Sequence, residues 1–115
     1  MKYIVCEKPH EFKLKEKPMP EPKEGEVLLK IKRIGVCGTD IHAYGGTQPY
    51  FEYPRVLGHE LAAEYIKGNA VGFNPGDKVT LIPYFNCGEC VACRNGLTNC
   101  CANIKVFGVH IDGGM

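Results

Sequence analysis

Cys87-Gly88-Glu89-Cys90-Val91-Ala92-Cys93-Arg94-Asn95-Gly96-Leu97-Thr98-Asn99-Cys100-Cys101 gathers most of the cysteines of this chain into one short stretch. Taken through Cys87, Cys90, Cys93 and Cys101 it reads Cys-x2-Cys-x2-Cys-x7-Cys. Short Cys-x2-Cys steps turn two thiolates back onto one cation, and four thiolates complete a closed tetrahedral zinc shell. Gly88 and Gly96 supply the permissive dihedrals that a chain folding around a metal needs. A closed four-cysteine site leaves no position for a substrate, so it reads as structural and any chemistry must lie elsewhere. Cys100 stands open as a substitute for Cys101. Disulfides are one competing reading and require an oxidising compartment. A redox Cys-x-x-Cys pair is another, and it would leave Cys93 and Cys101 without a role.

Outward from the cysteines, the composition sets bounds. A chain of 115 residues reads as one domain with a small core. Net charge is +1 with acids and bases interleaved, which argues against a nucleic-acid surface and against a polybasic membrane patch. Met1 to Lys8 holds no apolar stretch of secretory length, and no run of about 18 apolar residues suggests a membrane span. With no Trp, 14 Gly and 8 Pro, the chain reads as rich in strands and turns.

The strand signals are specific. Tyr3–Cys6 and Phe12–Lys15 flank a turn at Pro9-His10, with Cys6 as a small apolar strand residue. Pro18, Pro20 and Pro22 form a short stiff connector. From Glu26 to Val36, Val27, Leu29 and Ile31 alternate with Leu28, Lys30 and Lys32 in the strand period, and the phase then shifts. A bulge near Arg33 accounts for that shift. Thr39–Tyr44 reads as one or two helical turns with Thr39 or Asp40 as N-cap. Leu61–Ile66 and Lys78–Pro83 read as strands on either side of the turn Asn74-Pro75-Gly76-Asp77, and Val106–His110 as a last short strand. Many short strands punctuated by Gly and Pro favour a barrel or sandwich.

A second set of residues suggests a metal site of another kind. Cys37-Gly38-Thr39-Asp40-Ile41-His42 follows the long strand, and Gly58-His59-Glu60 comes about twenty residues on. Cys37 and His59 are good zinc ligands and Glu60 adds a carboxylate; catalytic zinc sites use three protein ligands and keep the fourth position open. On spacing alone these residues are weak evidence for a metal, and an inert buried Cys with an ordinary strand-edge His-Glu pair is the better-fitting reading.

In order, Cys37-Gly38-Thr39-Asp40-Ile41-His42, Gly58-His59-Glu60, Gly76-Asp77-Lys78-Val79 and the four lobe cysteines resemble the N-terminal catalytic domain of zinc-dependent medium-chain alcohol and polyol dehydrogenases. The resemblance runs to Asp112-Gly113-Gly114 and implies a mainly β chain with a few short helices. Its core is a GroES-like, partly open β-barrel with a four-cysteine zinc lobe at 85–103, incomplete at the C-terminus within 1–115. It implies Cys37, His59 and Glu60 as ligands of a catalytic zinc, and Cys87, Cys90, Cys93 and Cys101 as lobe ligands, with Cys100 spare. Asp40 then holds the ligating histidine in its tautomer, and Thr39 and His42 form a proton relay. Gln48 and Tyr50, in the loop after the helix, are candidates for bonding polyol hydroxyls. His110 reads as an ordinary strand histidine.

The implied reaction is oxidation of a secondary alcohol, in a polyol, sugar acid or amino-alcohol, by hydride transfer to NAD or NADP. Two departures stand out. Ala63 occupies a position where the family often has Gly. No Gly-x-Gly-x-x-Gly turn occurs, so the expectation is that the nucleotide-binding domain is absent from this sequence, and no cofactor-binding residue is assigned. The expectation is therefore a truncated part of a cytoplasmic, homo-oligomeric oxidoreductase, inactive by itself. A free-standing, non-catalytic zinc-binding module is the alternative.

Overall fold

Alternation of apolar residues with lysines and glutamates builds the first hairpin of the computed structural model, which describes residues 1–49 and 51–115. Strand β1 (Lys2–Lys8) pairs antiparallel with β2 (Glu11–Glu16), setting Ile4 opposite Leu14 and Cys6 opposite Phe12. Val5 and Cys6 are buried, while Lys13 pairs with Glu11 at 2.8 Å on the wet side. At the tip His10 takes a left-handed φ of 64°. Its N–H donates to Tyr44 O at 2.8 Å, and Phe12 stacks on the Tyr44 ring at 4.9 Å between centroids. The hairpin tip is thereby docked on the end of helix α1 (Gly38–Gly45).

The long amphipathic run forms β3 (Val27–Gly35), which pairs antiparallel with β4 (Glu60–Gly68); β4 in turn pairs with β5 (Lys78–Thr80), in the order β3-β4-β5. The ladder slips between Ile31 and Arg33, which is the bulge expected near Arg33, and once more between Leu28 and Leu29. Ala63 is buried opposite Ile31 and Val79, so its methyl is accommodated in the sheet. Strand β5 stops at Thr80, shorter than the expected Lys78–Pro83, and Pro83 has no N–H to give a ladder. The turn before it closes through Asp77 N–H to Asn74 O at 3.0 Å and Asn74 N–H to Asp77 Oδ2 at 2.8 Å.

The cysteine lobe follows as β6 (Tyr84–Phe85), the short helix α2 (Val91–Arg94), a 3-10 turn (Thr98–Cys100) and β7 (Lys105–Val106), with β6 and β7 paired. The expected strand Val106–His110 is cut to Lys105–Val106. Beyond it the chain curls so that Val106 O accepts the N–H groups of Val109 and His110 at 3.2 and 3.0 Å. His110 is exposed, and its Nδ1 accepts the Val106 N–H at 3.2 Å.

Cys6, Leu57 and Ala43 form the innermost core, with Tyr44, Phe51, Tyr53 and Met115 packed around them. The segment Arg55–Gly58 is held on both sides. Arg55 exchanges two backbone hydrogen bonds with Cys6 at 2.8 and 2.9 Å. Opposite, Gly113 N–H reaches Val56 O at 2.7 Å, Gly114 N–H reaches Gly58 O at 2.9 Å, and Met115 N–H reaches Leu57 O at 3.1 Å. A Cβ on Gly113 would run into the Leu57 and Gly58 carbonyl oxygens, so this strap lies at backbone contact. Among the described residues the three sheets do not close on themselves, in keeping with the mainly β, partly open architecture expected. No helix is long and apolar enough to cross a membrane among these residues.

Candidate metal centres

In the lobe, Cys87, Cys90, Cys93 and Cys101 bring their sulfur atoms within 4.8 Å of one another. Cys90 and Cys93 are 3.5 Å apart at sulfur, as are Cys87 and Cys101. A disulfide needs about 2.05 Å between sulfurs, whereas four thiolates around one zinc at about 2.3 Å stand about 3.8 Å apart. The separation fits the shared ion. Cys100, exposed on the outside of the 3-10 turn, is not in the group. Cys101 is the buried member, as expected of the fourth ligand.

Backbone amides pre-orient these thiolates. Cys87 and Asn103 N–H both donate to Cys101 Sγ at 3.3 Å, and Cys90 N–H donates to Cys87 Sγ at 3.4 Å. The amides of Cys93 and then Ala102 stabilise the Cys90 thiolate and bring its pKa down to about 6. Amides of Glu89 and Cys90 likewise lower that of Cys87. At Cys101 the Cys87 amide pulls the thiol down, but burial and the neighbouring Cys87 and Cys93 sulfurs outweigh it, and the net is a rise to about 11. Four thiols this close resist common ionisation, and a divalent cation removes that conflict.

The second group assembles at the junction of three elements. Cys37 stands between the end of β3 and the start of α1, Asp40 in the first turn of α1, and His59 just before β4. Cys37 Sγ and His59 Nε2 are 3.2 Å apart, and together with an Asp40 oxygen they form a cluster within 4.8 Å. On a shared tetrahedral zinc a sulfur and an imidazole nitrogen stand about 3.6 Å apart, so a few tenths of an ångström of opening admits the ion. Asp40 is 4% exposed. Its Oδ2 accepts the Cys37 N–H at 3.0 Å and its Oδ1 the Gly58 N–H at 3.1 Å. Oδ1 also faces His59 Nδ1 at 3.8 Å, a buried nitrogen with no hydrogen-bond partner. At that distance the two do not hydrogen-bond, but the Asp40 carboxylate lies on the Nδ1 side of the ring while Nε2 on the other side meets Cys37.

Two expectations change here. The N-cap of α1 is Cys37, not Thr39 or Asp40; Asp40 works from position N3 by reaching back to the Cys37 amide. Glu60 is not among the converging donors. Consecutive residues of an extended chain face opposite ways, and the Glu60 side chain packs over the bare Cα of Gly35. There it lines an open groove of about 570 Å³ with Arg33, His59, Thr80 and Tyr84. Asp40 therefore supplies the nearest carboxylate, a role that spacing alone did not reveal.

The remaining candidates sit around α1. Thr39 is half-buried and lies one helical turn before the exposed His42. His42 Nδ1 is 2.9 Å from Thr47 Oγ1, and its carbonyl accepts the amides of Thr47 and Gln48 at 2.9 and 3.2 Å. Gln48 is half-buried in the same loop. Tyr50 lies outside the described residues.

A family profile for the alcohol dehydrogenase GroES-like domain matches residues 23–115. The L-galactonate-5-dehydrogenase of Escherichia coli K12 is 49% identical over 116 residues, covering 99% of this chain and 34% of that protein. The solved L-idonate 5-dehydrogenase of Escherichia coli K-12 superposes with a TM-score of 0.89 at 29% identity, over 98% of this chain and 35% of that one. An Escherichia coli CFT073 alcohol dehydrogenase solved with NADH gives 0.87 at 40% identity, over 99% and 34%. The chain thus spans about a third of the length of these relatives. On the profile match, with a fold and two cysteine-containing clusters that agree with it, the chain belongs to the alcohol dehydrogenase GroES-like domain family.

Proposed function

We propose that this chain is the catalytic-domain portion, residues 1–115 with the lobe at 85–103, of a zinc-dependent NAD(P) oxidoreductase acting on a secondary alcohol. The observation that carries this reading is the convergence of Cys37, His59 and Asp40 on one point, apart from the four-cysteine lobe. A structural zinc module needs only the lobe. A second, incomplete donor set is what an open site requires.

In this reading Cys37 Sγ and His59 Nε2 would hold the catalytic zinc, and Asp40, beside His59 Nδ1, would steady the imidazole. Zinc there supplies Lewis acidity that makes an alcohol easier to deprotonate. Thr39 takes the hydroxyl proton while passing its own to His42, which stands exposed and can release it to water. Glu60 lines the groove beside His59, where it is placed to meet a substrate hydroxyl or to swing toward the metal. Gln48 belongs to the loop that would bound a polyol or sugar acid, and Tyr50, two positions on in the sequence, is the second candidate for bonding its hydroxyls. A bound nicotinamide would supply the hydride acceptor for the alcohol carbon. The free thiols suit a reducing cytoplasm. Exposed Ile82, Tyr84 and Phe85 offer apolar surface for a homo-oligomer.

The test is NAD(P)+ reduction by the full-length polypeptide with a panel of L-galactonate, L-idonate, L-threonine and sorbitol. Turnover with at least one, abolished by Cys37→Ser and by His59→Ala, is the expected result. No turnover with any, together with wild-type metal content in both variants, overturns the proposal.

A further inference from the structure

The segment Arg55–Gly58 delivers His59 to Cys37, and two carboxylates grip it. One is Asp40, on the Gly58 amide. The other comes from the far end of the sequence: Asp112 Oδ1 accepts the Val56 N–H at 3.0 Å and faces Arg55 Nη1 at 3.7 Å. We propose that Asp112 is a positioning residue for the Cys37–His59 centre, acting through the Val56 amide on the segment that ends in His59. The inference rests on reading Cys37 and His59 as a metal pair.

Three observations support it. Val56, Leu57 and Gly58 are all buried, so removing the Asp112 carboxylate, whose own side chain is 61% exposed, takes away the fixed acceptor of the Val56 amide and leaves at most mobile water in its place. The three residues after Asp112 bond Val56, Leu57 and Gly58 through their backbones alone. Among the described residues, Asp112 therefore contributes the one side-chain hydrogen bond of this strap to the segment, at the end remote from His59, while the Met115 side chain adds apolar packing. Finally, the fixed points flank the ligand closely. Asp112 holds Val56, the strap holds Leu57 and Gly58, Asp40 holds the Gly58 amide, and His59 follows at once. Loosening the first of these lets the segment rotate and carries the displacement to Nε2, where a few tenths of an ångström separates a fitted ligand from a misplaced one.

The experiment uses the 115-residue chain with its lobe zinc in place, titrated with Co2+ and followed by cobalt–thiolate absorption. The Asp112→Ala chain should bind the second ion about tenfold more weakly, at the lower end of the range for residues that orient ligands, while lobe zinc stays unchanged. Asp112→Asn keeps an oxygen for the Val56 amide and should return affinity to within about twofold. In metal-free samples the His59 imidazole and Gly58 amide resonances should shift in Asp112→Ala and recover in Asp112→Asn. Unchanged affinity and unchanged His59 resonances in Asp112→Ala overturn the proposal. So does an Asp112→Asn chain as weak as Asp112→Ala, or parallel loss of lobe zinc. If the wild-type chain takes up no second Co2+, the metal reading of Cys37 and His59 fails for this chain, and the resonances alone decide the case of Asp112.

Discussion

Replacing Asp40 with Ala should be costly well beyond the loss of a ligand-orienting group. The carboxylate is 4% exposed and accepts two backbone amides, Cys37 at 3.0 Å and Gly58 at 3.1 Å. Deleting it strands both donors, each at about 1–3 kcal/mol when buried, and the helix loses the reciprocal half of its N-terminal cap. Some relaxation and water entry will soften this, so about 2–5 kcal/mol is expected. Asp40→Asn should fall between, because its amide carries one acceptor oxygen and turns an NH2 toward the other donor. The assay is urea unfolding of the zinc-loaded chain, with lobe zinc measured alongside so that metal loss is not mistaken for the effect. A loss below about 0.5 kcal/mol in Asp40→Ala would refute the reasoning, since surface substitutions reach that range.

Other outcomes can be checked more simply. Cys101→Ser should release lobe zinc and Cys100→Ser should not; elemental analysis of the two proteins decides it, and the reverse result reassigns the ligand. In the metal-free chain, iodoacetamide should label Cys90 before Cys101 at neutral pH, because Cys90 ionises near about 6 and Cys101 near about 11. The linked stabilities have opposite signs. The depressed Cys90 pKa contributes stability above its ordinary value of 9.0 that is lost as pH falls through about 6, and the raised Cys101 pKa contributes stability below 9.0 that is lost as pH rises through about 11. Gly113→Ala should destabilise the chain by about 1–3 kcal/mol or more, because its methyl meets the Leu57 and Gly58 carbonyls; thermal melts at fixed zinc will show it.

Much of the fold could be read from local pattern. The alternation in Val27–Ile31 and its break near Arg33 pointed to both β3 and its bulge, since the side-chain period of a strand is strict. The lobe was legible because its ligands are close in sequence. What escaped depends on where side chains turn and on which segments meet, neither of which the pattern spells out. Cys37 is an unusual N-cap, and its role shows only once Asp40 is seen reaching back. Glu60 is adjacent to His59 in sequence yet stays out of the converging donors, because it opens β4 and its side chain lies over Gly35. Asp112-Gly113-Gly114 offered one signal, two glycines after a carboxylate, which marks a place where backbones meet closely; the partner segment 55–58 could not be named without the structure.

The most direct test of two separate metal centres is zinc stoichiometry of the purified chain, in the wild type and in the Cys101→Ser and His59→Ala variants, at limiting and at excess metal. The account predicts one tightly held zinc, lost in Cys101→Ser and kept in His59→Ala, and a second, weaker zinc at excess metal that His59→Ala abolishes. A tight zinc that survives Cys101→Ser, or a second zinc indifferent to His59→Ala, would contradict it.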